Sequence, residues 1–115
     1  MTIATAYTNS ATISTTEYSL PNNSTTLATL TAVAIYQVFI DASALVAGDA
    51  YRITIYEAVQ AAGTKRVAWA ETLTGAQGGP VWVSPSMILM NGWDVTAIRL
   101  SGADRVIGWS IRSVA

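Results

Sequence analysis

Tyr51-Arg52-Ile53-Thr54-Ile55-Tyr56-Glu57 alternates without interruption. Tyr51, Ile53 and Ile55 fall on one side of an extended backbone, and Arg52, Thr54 and Tyr56 on the other. Successive side chains of a strand point to opposite faces, so this stretch reads as a half-buried β-strand. β-Branched and aromatic residues suit a pleated surface, and the stretch consists largely of them.

The same period recurs on both sides. Upstream, Val33 to Asp41 sets Tyr36, Val38 and Ile40 against Ile35, Gln37 and Phe39. Asp41 to Asp49 is a loop that Gly48-Asp49 closes with turn chemistry. Downstream, Ala61-Ala62-Gly63-Thr64 reads as a hairpin-like connection. Lys65 to Leu73 then alternates, with Val67, Trp69 and Leu73 expected inward and Glu71 on the same side, near a strand end or an interface. Gly75 to Pro80 is a turn, Val81-Trp82-Val83 is a short strand stopped by Ser84-Pro85, and Met87-Ile88-Leu89-Met90 is apolar without alternation. Trp93 to Leu100 and Arg105 to Val114 are strands joined at Ser101-Gly102-Ala103-Asp104. Ile107, Trp109 and Ile111 share a face. Short strands at regular spacing with glycine-bearing turns predict an all-β fold, an antiparallel β-sandwich of jelly-roll or immunoglobulin-like type. The three prolines, at 21, 80 and 85, stand at turns or strand ends, where a missing backbone donor costs least.

Residues 1–31 differ in composition. They hold 14 Ser or Thr and a single charge, Glu17. Ordering a backbone costs about 1–2 kcal/mol per residue, and this segment has little apolar area to offset that. Strands are expected over Ile13 to Leu20 and Thr25 to Leu30, with a turn at Pro21 to Ser24. The segment is therefore read as an extended N-terminal arm, ordered against its own domain or a neighbour, and residues 32–115 as the β-sandwich domain. On that division, removing residues 1–20 should leave the domain folded.

Composition narrows the function. The 115 residues include no His and no Cys, and only 13 charges. Chemistry near neutral pH usually draws on His, an activated Cys or converging carboxylates. The carboxylates here are scattered, and Glu57, Glu71, Asp94, Asp41 and Asp49 are expected to solvate strand ends and turns. Asp41, Asp49 and Ser43 fall short of the six to eight oxygen ligands that calcium takes. The chain is accordingly expected not to be an enzyme and to use no cofactor or metal. One adjacent basic pair, Lys65-Arg66, is too little for phosphate binding, so nucleic acid is not an expected partner. The longest apolar stretch, around Val33 to Ile40, is too short to cross a bilayer, so no membrane role is expected. A hydrophobic fraction of 51% in so small a chain leaves apolar surface outside, which points to association.

Phe39, Tyr56, Trp82, Met87, Ile88, Met90 and Trp93 are the candidate interface residues. Trp69 and Trp109 lie in phase with Val, Ile and Leu and are expected in the core. Trp82 and Trp93 border turns and could serve the core rim, a subunit contact or stacking on a sugar. The Met87–Met90 run suits burial on both sides or at an irregular interface, to which Met adapts.

Together, Tyr36-Gln37-Val38-Phe39-Ile40-Asp41, Leu45 to Asp49, Ile55-Tyr56-Glu57, Thr64-Lys65-Arg66-Val67, Val81-Trp82-Val83-Ser84-Pro85, Gly92-Trp93-Asp94 and Trp109-Ser110-Ile111-Arg112 resemble small β-rich accessory structural proteins of tailed bacteriophages. The resemblance spans about Val33 to Ala115. It implies a virion protein made in the host bacterial cytoplasm, of the capsid decoration or cement type. Its partners would be the major capsid protein and sister subunits, most often as a homotrimer. A tail, neck or fibre-associated protein is the alternative within that class. A carbohydrate-binding β-sandwich module using Trp82 or Trp93 is the alternative outside it.

Overall fold

The computed structural model describes Met1–Ala115 as nine strands and no helix. They are β1 (Ile3–Ile13), β2 (Tyr18–Ser19), β3 (Ala34–Asp41), β4 (Ala50–Glu57), β5 (Arg66–Thr74), β6 (Val81–Val83), β7 (Met87–Leu89), β8 (Asp94–Ser101) and β9 (Arg105–Val114). All pairings are antiparallel. One sheet, here sheet A, runs β1-β9-β3-β6, with β7 also on β3; the other, sheet B, runs β2-β8-β4-β5.

The two sheets share one core. Tyr36, Val38 and Ile40 of β3 and Ile107, Trp109 and Ile111 of β9 meet Tyr51, Ile53 and Ile55 of β4 and Val95 and Ala97 of β8. Each set comes from the alternate positions of its strand, so the period-2 pattern of the sequence becomes the inner face of the sheet. Trp93 lies at the centre and is fully buried. Its ring sits 4.4 Å from Tyr36 and 5.9 Å, edge-on, from Tyr7, and its indole N–H donates to the Ala32 carbonyl at 3.0 Å. A buried indole needs such a partner. The sequence left Trp93 between the core rim, a subunit contact and a sugar platform and expected Trp69 in the core; Trp93 is interior and Trp69 partly exposed. Trp69 is 39% exposed and Val67 60% exposed, because β5 is the edge of sheet B and the facing β6 is too short to cover it.

Residues 1–31 pack within the fold. β1 pairs with β9 over ten residue pairs, with an irregularity between Thr5 and Tyr7. The sequence placed the strand further on, at Ile13 to Leu20, where Ile13 is the last residue of β1 and only Tyr18–Ser19 pairs beyond it, and in Thr25 to Leu30 only Leu30 makes an isolated bridge, to Trp93. β1 hid from a reading of hydrophobic alternation because it is an edge strand with most side chains in solvent; backbone pairing holds it. Ile13 and Leu20 are core residues, at 0% and 1% exposure. Residues 17–28 then lie over the β8 end of the outer face of sheet B. Glu17 accepts from Tyr56 Oη and Thr96 Oγ1, each at 2.6 Å. The buried Asp94 carboxylate accepts from Ser19 Oγ at 2.8 Å, Ala28 N at 2.9 Å and Val95 N at 2.8 Å. Burial pushes the Asp94 carboxyl above its usual range, against the pull of those donors.

Candidate interaction face

With the N-terminal segment over part of sheet B, the outer face of sheet A is the broad open surface. Its registers form a grid. Ile3 of β1 lies beside Val114 of β9, Val114 beside Ile35 of β3, and Ile35 beside Ile88 of β7. Four aliphatic side chains thus cross four strands in one row. Ile3 is 71% exposed, Ile35 43% and Ile88 67%. Strand β7 exists here because Ser84 and Pro85 break the chain after β6. Ser84 is buried, its Oγ accepting from Val38 N at 2.9 Å, and the chain resumes pairing with the same strand β3 three residues later.

Next along the sheet, Arg112 lies beside Gln37, and its guanidinium carbon sits 3.8 Å from the centroid of the Phe39 ring. That stacking holds a long, mobile side chain flat against the sheet. Two concavities open on either side of the pair. One, of about 260 Å³, is lined by Ile3, Ile35, Gln37, Ser86 and Val114 among others. The other, of about 590 Å³, is bounded by Asp41, Ser43, Pro80, Val81 and Ser110, with Gly108 on its floor. Gly108 stands in a central strand where a side chain would otherwise project. A Cβ there would sit 3.6 Å from Asp41 Cβ and 3.8 Å from Ser10 Cβ, so the missing side chain makes the dent. At its rim, Asp41 accepts from Ser43 N at 3.0 Å, and hydrogen bonding from Ser43 holds the Asp41 carboxyl below its usual range.

The seven candidate interface residues divide. Phe39, half-buried, and Ile88 lie on this face. Met90, 43% exposed, lies just beyond β7, with its backbone N–H donating to Glu57 at 2.6 Å. Met87 is half-buried against the core. Trp82 faces inward from β6, and its indole N–H donates to the Glu71 carboxylate of β5, so it bridges the two sheets on their open side. Tyr56 is tied to Glu17 on the opposite sheet. Trp93 is interior. Sequence reading missed Ile3, Ile35 and Val114, because a cross-strand row is set by register, which no single segment reveals.

No family model matches the chain, and no curated protein matches it. Among solved structures, the fold is similar to a crystal structure of PirA, with a TM-score of 0.52 and 13% identity over 96% of this chain and 94% of that one.

Proposed function

We propose that this chain is a non-catalytic structural protein that docks onto other protein subunits through the outer face of sheet A, and that it serves as a decoration protein on a phage head. The observation that carries the reading is the contiguous row Ile3, Val114, Ile35 and Ile88, three of them exposed and Val114 half-buried. Contiguous exposed apolar surface marks protein contacts. Burying three such side chains fully would contribute several kcal/mol, at roughly 1.5–3 kcal/mol each. The Phe39–Arg112 pair beside the row supplies the aromatic and guanidinium contacts in which interface centres are enriched. The phage assignment rests on the sequence resemblance.

The fold type fits such a role. The chain pairs β1 with β9, β2 with β8, β3 with β6 and β7, and β4 with β5, and these pairs alternate between the two sheets. A long antiparallel ribbon rolled up in this way is a jelly roll, an architecture of viral capsid and lectin domains. The strand orders support that reading over an immunoglobulin-like one.

The test is co-sedimentation with shells assembled from the proposed partner, the major capsid protein of the phage that carries this chain. Wild-type protein should pellet with the shells, and Ile35→Glu with Ile88→Glu should weaken binding at least about tenfold, or about 1.4 kcal/mol. Labelled protein at a single vertex or on the tail, with bare shells, would move the assignment to the tail and neck class. Sugar binding is the weaker reading. Trp93 lies in the core and Trp82 is engaged by Glu71, so neither offers a free platform.

A further inference from the structure

We propose that the free edge of β1 is a self-association site, at which a second copy of this chain adds its own β1 antiparallel about a two-fold axis. The site deepens the assembly reading but uses the backbone edge of β1 rather than the aliphatic row, so either can fail without the other.

An unpaired strand edge presents a row of N–H and C=O groups that accepts another strand. Natural sheets guard such edges with short strands, prolines, charges or bulges. The other edges of this molecule are guarded. β2 has two residues, and β6 and β7 have three each, with Pro80 and Pro85 flanking β6. β5 is nine residues long but carries Arg66 and Glu71, with Lys65 just before it. β1 is the exception. It has eleven residues, no charge and no proline, and no strand lies on its other side. Its one irregularity falls between Thr5 and Tyr7, and from Tyr7 to Ile13 the register with β9 is unbroken.

This stretch is also suited to meeting itself. With the axis at Ser10, Thr8 lies opposite Thr12 of the second copy and Asn9 opposite its Ala11. Both copies keep Thr8, Ser10 and Thr12 on the outer face, because antiparallel pairing about a residue preserves the alternation. Hydroxyl pairs across strands are favourable, and no like charges are brought together. A two-fold contact of this kind closes at two subunits, in place of the three that the phage resemblance implies.

Sedimentation equilibrium of the full chain tests this. The wild type should run at twice the 12.1 kDa chain mass, and Ser10→Lys with Thr12→Lys should run at 12.1 kDa. Both substituted side chains project into solvent, so circular dichroism and melting temperature should change little. Hydrogen exchange of the wild type provides a check that needs no variant: amides of Tyr7–Thr12 on the free edge should exchange faster on dilution, while those of β4 should not. A wild type at single-chain mass would overturn the proposal. So would a pair that survives both lysines, or β1 exchange that ignores concentration.

Discussion

Asp49 ties three parts of the chain together. Its buried carboxylate accepts from Arg105 Nε at 2.8 Å, Val46 N at 3.0 Å and Ala103 N at 3.1 Å. Those donors, Arg105 first, hold its carboxyl down at about 2 from an ordinary 3.8. A depressed carboxyl stabilises the fold above the unfolded value, and that stability is lost as pH falls through the folded one. The urea midpoint should therefore drop between about pH 4 and pH 2, and Asp49→Asn should flatten that part of the profile. Asp94, whose carboxyl is raised, acts in the opposite direction, so the comparison with Asp49→Asn isolates Asp49. Gly102 makes the same junction possible. Its φ is +85°, and a Cβ there would strike Asp49 Oδ1 and come within 2.7 Å of Asp49 Cα. Gly102→Ala should cost about 2 kcal/mol or more in denaturant unfolding, from positive φ and clash together. The turn was legible from Ser101-Gly102-Ala103-Asp104. The carboxylate beneath it was not, since Asp49 lies 53 residues away in the chain.

At the scale of elements, alternation located β3, β4, β5, β8 and β9 to within one or two residues, because each carries an inward apolar face or sits beside a strand that does. Pro80 and Pro85 bounded short β6, but the Met87–Met90 run, apolar without alternation, was not read as a strand, and β7 forms there. Alternation failed at β1, whose Thr, Ser, Asn and Ala side chains report nothing about a backbone ladder. That failure has a consequence for truncation. Removing residues 1–20 strips ten residue pairs from β9 and takes Ile13 and Leu20 out of the core. Large buried aliphatic side chains cost about 2–5 kcal/mol each when lost, against a typical domain stability of about 5–15 kcal/mol. The truncated chain should melt at least about 10 °C lower or collect as aggregate, which a thermal melt followed by circular dichroism would show. A folded remnant with unchanged melting temperature would contradict the packing described for β1.

For the whole molecule, the ribbon pairing sets what is covered and what is open. Rolling β1:β9, β2:β8, β3:β6/β7 and β4:β5 into two sheets buries one face of each. The segment after β1 then crosses to sheet B, where Glu17, Ser19 and Ala28 fasten it over β8. Nothing in the chain performs that service for sheet A, and its outer face keeps an aliphatic row, the Phe39–Arg112 pair and a dent at Gly108. Phe39 and Ile88 were picked out by residue type, while their neighbours Ile3, Ile35 and Val114 emerge only once registers across β1, β9, β3 and β7 are known. The proposed docking role of this face is tested most directly by the affinity of wild type and of Ile35→Glu with Ile88→Glu for shells of the proposed partner, a phage major capsid protein. The account predicts saturable binding by the wild type and a loss of at least about tenfold in the variant, with its melting curve preserved. Equal binding by the two proteins, or no binding by either, would contradict it.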